Sequence, residues 1–131
     1  MASIRDILNN LARDYAIAWS SGDANAVAEF FAPDGQMIMN RSETLQGRAA
    51  IAEMARGFQA DFPDLELRCD MMRWAGRRAI FVWTFEGHHA KSGNHVLTRG
   101  WEEWDLNEDH KVLSSNGWYD AEDMQRQIDG A

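Results

Sequence analysis

Tyr15-Ala-Ile-Ala-Trp19-Ser-Ser-Gly22-Asp23-Ala-Asn-Ala-Val27-Ala-Glu-Phe30-Phe31-Ala-Pro33-Asp34-Gly35-Gln-Met37-Ile-Met39 reads, in order, as a helix end, a sharp break, a second short helix, a turn and a strand. Working back from it, Ser3 can cap a helix that runs to about Ser20. Ile4, Ile7, Leu8, Leu11, Tyr15, Ala18 and Trp19 recur at helical spacing and form one apolar face. Gly22 stops that helix. Asp23 can cap the next one, whose buried side is Val27, Phe30 and Phe31. Pro33-Asp34-Gly35 is turn chemistry, and residues 36–40 then read as a short strand.

Working forward, residues 41–46 are polar and read as a loop. A third helix follows Gly47, with Ile51, Met54, Ala55, Phe58 and Phe62 at helical spacing, and it ends before Pro63. Beyond it the period becomes two. Strands are expected at residues 66–74, 77–88, 95–106 and 112–118, joined at Ala75-Gly76, residues 90–94 and residues 107–110. Asp120 is expected to cap a last helical turn or two, with Asp123 completing a partial capping box. Helices followed by an antiparallel meander make the chain α+β, one domain over residues 1–131. Within residues 77–88, Ile80, Val82 and Thr84 alternate with Phe81, Trp83 and Phe85, so both strand faces are apolar. Helices can cover only one face. The aromatic trio Phe81, Trp83 and Phe85 is therefore expected on the convex face, against a second copy in a homodimer.

Composition narrows the function. The chain has 131 residues, 45% hydrophobic and 26% charged, enough for one globular core. Lys and Arg number 13 against 21 Asp and Glu, a net charge of -8 that disfavours nucleic acid and anionic membrane surfaces. The N-terminal stretch is amphipathic and interrupted by charge, which reads as neither a signal peptide nor a membrane span. Cys69 is the only cysteine, so a reducing, cytoplasmic setting is the simplest reading. Leu67, Cys69 and Met71 alternate on one strand, which predicts a buried, inert thiol. The six Trp and seven Met suit either a pliable apolar cavity or plain core.

The order Trp19-x-x-Gly22-Asp23, Phe30-Phe31-Ala-Pro-Asp-Gly, Leu45-x-Gly47-Arg48-x-x-Ile51, Phe85-x-Gly87-His88-His89 and Trp118-Tyr119-Asp120, with Gln127-Ile128 after it, spans nearly the whole chain. It resembles the SnoaL-like branch of the nuclear transport factor 2-like superfamily. That resemblance implies a cone-like curved antiparallel or mixed sheet wrapped around three N-terminal helices, a cystatin-like α+β barrel. It also implies a small apolar ligand bearing a carbonyl or hydroxyl, no metal and no organic cofactor. In the steroid-isomerase branch, a first-helix Tyr and a central-strand acid stabilise a developing enolate while an Asp moves the proton. Those positions fall on Tyr15, Glu102 and Met39, and Met39 cannot accept a proton. In the limonene-epoxide-hydrolase branch the acid positions fall near Glu86 and Gly117 and the Arg near Thr84, so that apparatus is largely missing. The polyketide-cyclase branch needs one carboxylate, for which Glu102, Glu86 and Asp120 are all open.

Strand parity adds a check. If Glu102 faces inward, so do Thr98, Gly100 and Trp104, and the family register adds Ser115, Gly117 and Tyr119. Trp19 shares a helix face with Tyr15, and Met37 shares a strand face with Met39. With Phe58 and Thr84 these make an expected ligand site of Trp19, Met37, Met39, Phe58, Thr84, Trp104, Ser115 and Tyr119 around the candidate catalytic residues Glu102, Tyr15 and Glu86. Each has a plain alternative: a salt-bridged Glu102, a core Tyr15, a solvated strand end at Glu86. His88, His89 and His95 flank one hairpin, but adjacent strand residues face opposite ways, which argues against a shared metal. Glu102 marks the two main alternatives. An enzyme keeps it inward with a raised pKa beside an open cavity. A carrier or protein-association module pairs it with a cation or fills the cone with Trp and Met.

Overall fold

Ser3 accepts the Asp6 backbone N–H at 3.1 Å and so starts α1 (Ile4–Ser20), in a computed structural model that describes residues 2–131. Gly22 supplies the break with a φ of +76°. Asp23 caps α2 (Ala24–Glu29), and Asp120 caps α4 (Ala121–Asp129), each through its own carboxylate. Between them lie β1 (Phe31–Met39), β2 (Leu45–Gln46), α3 (Gly47–Asp61), β3 (Glu66–Ala75), β4 (Arg78–His88), β5 (His95–Leu106) and β6 (Val112–Tyr119). The six strands lie in the order β2-β1-β6-β5-β4-β3, antiparallel except for the β1–β6 pair. The sheet is curved but open, so the expected barrel is not closed. The α+β architecture stands, with a fourth helix of nine residues where only a turn or two was expected. Among the described residues no helix is long and apolar enough to cross a membrane.

Three local expectations fail for physical reasons. Pro33-Asp34-Gly35 does not turn the chain back; it is an irregular stretch inside β1, between the Phe31–Val112 and Gln36–Ser114 pairs. Pro33 has no N–H for the ladder. Gly35 is needed because a Cβ there would lie 2.8 Å from the Val112 carbonyl. Cys69 is exposed rather than buried. Asp70 is an extra residue between the Cys69–Trp83 and Met71–Val82 pairs, so the alternation of β3 slips by one, and Met71 faces outward at 44% exposure.

The third concerns the sheet faces. Phe81 stands opposite Glu102, Trp83 opposite Gly100 and Phe85 opposite Thr98. All three aromatics turn toward the helices and are buried. Phe81 meets Tyr15 of α1 edge-on at 5.4 Å and stacks on Trp104 at 5.2 Å, while Phe85 meets Phe58 of α3 at 6.1 Å. The trio expected at a subunit interface is therefore core. The face turned away carries a different apolar row: Met71, Val82, Trp101 and Trp118, each paired with the next across β3, β4, β5 and β6.

Candidate functional site

Glu102 lies at the centre of the inner face of β5, and burial leaves it 2% exposed. Its Oε1 accepts three donors: the Tyr15 hydroxyl at 3.0 Å, Trp104 Nε1 at 3.0 Å and the Ser115 hydroxyl at 2.9 Å. Its Oε2 receives only the Tyr15 hydroxyl, at 3.3 Å. No ion pair among the described residues involves it. Burial pushes its pKa above the ordinary carboxylate range, and the three donors pull it part of the way back. With Oε1 saturated, a proton on Glu102 belongs on Oε2. Burial, and then the nearby Glu102 charge, hold the Tyr15 hydroxyl protonated well past its ordinary range.

Glu102 borders an apolar cavity. Trp19 from α1, Met54 and Phe58 from α3, and Met124 from α4 form its helical wall; Met39, Leu67, Trp83, Phe85 and Tyr119 complete it from the sheet. Its free volume is about 30 Å³, where a single water needs roughly 10–15 Å³. Three of its walls are methionines, whose unbranched chains re-pack at low cost. Two glycines shape its floor. A Cβ on Gly100 would lie 2.5 Å from the Trp83 ring, and one on Gly117 would lie 2.9 Å from the Met39 sulfur. Trp83 and Met39 thus lean into hollows that only glycine leaves.

The expected site residues divide into three groups. Trp19, Met39, Phe58, Glu102 and Tyr119 line the cavity. Tyr15, Met37, Trp104 and Ser115 lie behind it, almost fully buried. Of these, Tyr15, Trp104 and Ser115 are joined to the cavity wall through their hydrogen bonds to Glu102. Thr84 and Glu86 lie on the opposite face of β4. Thr84 donates its hydroxyl to Asp70. Glu86 binds Arg68 at 3.1 Å and His95 at 2.6 Å, contacts that hold its pKa below the ordinary range. Neither residue can serve this cavity, because β4 alternation points them away from it. Of the hairpin histidines, His88 contacts Asp64 at 2.7 Å and His89 packs on Phe62 at 5.5 Å.

Five lining residues escaped the sequence reading: Met54, Leu67, Trp83, Phe85 and Met124. A signal for two of them was present. Pairing the expected strand ends His88 and His95 puts Phe81 opposite Glu102, and with it Trp83 and Phe85 on the inner face. Met124 depends on how α4 docks. Gln127 accepts the Leu97 N–H at 2.7 Å and donates to the Leu97 carbonyl at 2.9 Å, taking the place of a strand where β6 no longer runs beside β5.

Trp19 and Trp83 are 6% and 5% exposed, and neither indole N–H has an acceptor among the described residues. The Trp19 indole is near enough to the Tyr15 hydroxyl to favour its ionised form, without hydrogen-bond geometry. An unpaired buried donor costs about 1–3 kcal/mol.

The SnoaL-like domain pattern matches residues 12–114, from α1 to β6. The chain belongs to the SnoaL-like domain family. No curated protein matches this SnoaL-like domain by sequence. Solved structures share its fold. A protein with a ketosteroid isomerase-like fold from Catenulispora acidiphila, solved with trimethylamine, is 18% identical over 91% of this chain and 92% of its own, with a TM-score of 0.83. TsrD from Streptomyces laurentii is 18% identical over 100% of both chains, with a TM-score of 0.83. SalBIII, an epoxide hydrolase/cyclase-like enzyme of pyran ring formation in salinomycin, is 14% identical over 92% of this chain and 95% of its own, with a TM-score of 0.79. At these identities the likeness is one of fold.

Proposed function

We propose that this SnoaL-like domain binds a small, uncharged, largely apolar molecule through a carbonyl or hydroxyl oxygen and moves a proton on it. The observation that carries this reading is Glu102: buried, free of any cation, raised in pKa and set in the cavity wall. A carboxyl raised toward neutrality is available both as an acid and as a base. Protonated, it offers Oε2–H to a ligand oxygen. Ionised, it takes a proton from the carbon beside that oxygen and returns it. Among the described residues Glu102 is the only carboxylate that lines the cavity, and Met39, at the usual base position, cannot accept a proton. Isomerisation or aldol-type cyclisation with one shuttling carboxyl therefore fits better than a two-acid mechanism. The chemistry calls for no metal or organic cofactor. SalBIII, a cyclase-like enzyme that shares this fold, supports the same class.

The test is deuterium exchange into the α-position of cyclohexanone, followed by proton NMR. Wild-type protein is expected to exceed buffer, and Glu102→Gln to lose about a hundredfold of that rate or more while binding is retained. If cyclohexanone binds and wild-type exchange equals buffer, the domain is a carrier. The cavity of about 30 Å³, narrowed by Met39, Met54 and Met124, is the observation on the carrier's side.

The partner we propose is a second copy, docked through the outer row Met71, Val82, Trp101 and Trp118 rather than through Phe81, Trp83 and Phe85. Met71, Trp101 and Trp118 are 44%, 43% and 45% exposed, in a continuous apolar line across the sheet. Sedimentation of the wild type is expected to give a dimer, and Trp101→Lys a folded monomer; a wild-type monomer at about 100 μM, weaker than typical specific interfaces, would rule this out. An exposed, unpaired Cys69 suits a reducing cytoplasm.

A further inference from the structure

We infer that Trp19 and Trp83 form a second recognition point in the cavity, and that the ligand therefore carries two acceptor oxygens, one for Glu102 and one for the indole N–H groups. This rests on the ligand-binding reading above. Among the described residues, the buried side-chain polar atoms left without a partner are Trp19 Nε1 and Trp83 Nε1. Both rings border the same cavity as Glu102. Buried polar groups are nearly always paired, so two orphans bordering one cavity, one from α1 and one from β4, point to an occupant that pairs them.

The chemistry of that occupant follows. An indole N–H only donates, so its partner must accept. The rings are held in place: Trp83 fills the hollow over Gly100, and Trp19 packs edge-on against Phe58 at 6.0 Å. No Lys or Arg lines the cavity, so an anionic ligand would meet the Glu102 carboxyl without a counter-ion. A cation would find five aromatic rings but also two unpaired indole donors. An uncharged ketone, ester, lactone or amide oxygen satisfies every group present. The second oxygen must lack a hydrogen of its own, because the indoles offer no acceptor to receive it.

The experiment titrates the intact protein with cyclohexane-1,4-dione, cyclohexanone and tetramethylammonium, watching the indole ¹H–¹⁵N signals. Trp19→Phe and Trp83→Phe assign those signals and keep a ring in each place; the remaining spectrum reports that each variant is folded. The dione is expected to move both signals downfield and to bind about tenfold tighter than cyclohexanone, the worth of one neutral hydrogen bond. Each Phe variant is expected to erase most of that advantage. If both ketones bind equally and the indole signals stay still, this inference falls while the proposed function stands on its Glu102 dependence. If neither ketone binds, or only tetramethylammonium does, both fall together.

Discussion

Glu102→Leu is expected to destabilise the domain by roughly 3–6 kcal/mol, whereas Glu102→Gln costs about 1 kcal/mol or less. Leucine fills much of the space but leaves the Tyr15 hydroxyl, the Trp104 N–H and the Ser115 hydroxyl without their shared acceptor. Each orphaned donor carries a penalty of about 1–3 kcal/mol, and rotation of the two hydroxyls recovers part of the sum. Glutamine keeps an oxygen where all three donors point and puts its NH₂ at the under-used Oε2 position. The two variants also separate stability from charge. Burial raises the folded-state pKa of Glu102 above the ordinary 4.5. The proton is thus bound more tightly in the folded than in the unfolded chain. That contribution to stability is fully present below the unfolded value and is lost as pH rises through the folded one. Wild type should lose stability relative to Glu102→Gln as pH rises from about 4.5 through the folded value. Urea midpoints for both proteins across this range check it, and parallel curves would show that Glu102 is not perturbed by burial.

Gly100→Ala is the second large effect, a loss of about 2–4 kcal/mol. The added methyl meets the Trp83 ring at 2.5 and 2.7 Å and also crowds the backbone carbonyl of Trp118. The ring belongs to a packed wall and the carbonyl to the sheet ladder, so neither yields freely. A double-mutant cycle with Trp83→Leu distinguishes the two obstacles. Removing the large ring should recover part of the loss, and the part that remains belongs to the backbone. A Gly100→Ala protein within about 0.5 kcal/mol of wild type would mean that Trp83 is not seated on β5 as described.

Much of this architecture was legible because its signals are local. Ser3, Asp23 and Asp120 each cap the helix that follows, and residues 95–106 form β5 with the bounds that alternation suggests. The inward set of Thr98, Gly100, Glu102 and Trp104 also follows from period two once one member is placed. What stayed hidden depends on pairing between distant residues. The extra residue at Asp70 reverses the faces of β3 from Met71 onward, and nothing in Leu-Arg-Cys-Asp-Met announces it. Both faces of β4 are apolar, so only its register against β5 decides that Trp83 is cavity and Thr84 is not. Tyr15 and Glu102 were both singled out. Their contact spans 87 positions of sequence, so the hydrogen bond between them could not be read from either stretch alone.

The Gln127 contact with Leu97 has a further consequence at the end of β5. Beyond Gly100 that strand has no β6 neighbour, and the Gln127 amide occupies the bonding groups of Leu97. A bare strand edge recruits other chains into the sheet. Movement of α4 away from β5 would take Gln127 with it. That would uncover a short adhesive edge, so the Gln127 contact is also protection against aggregation.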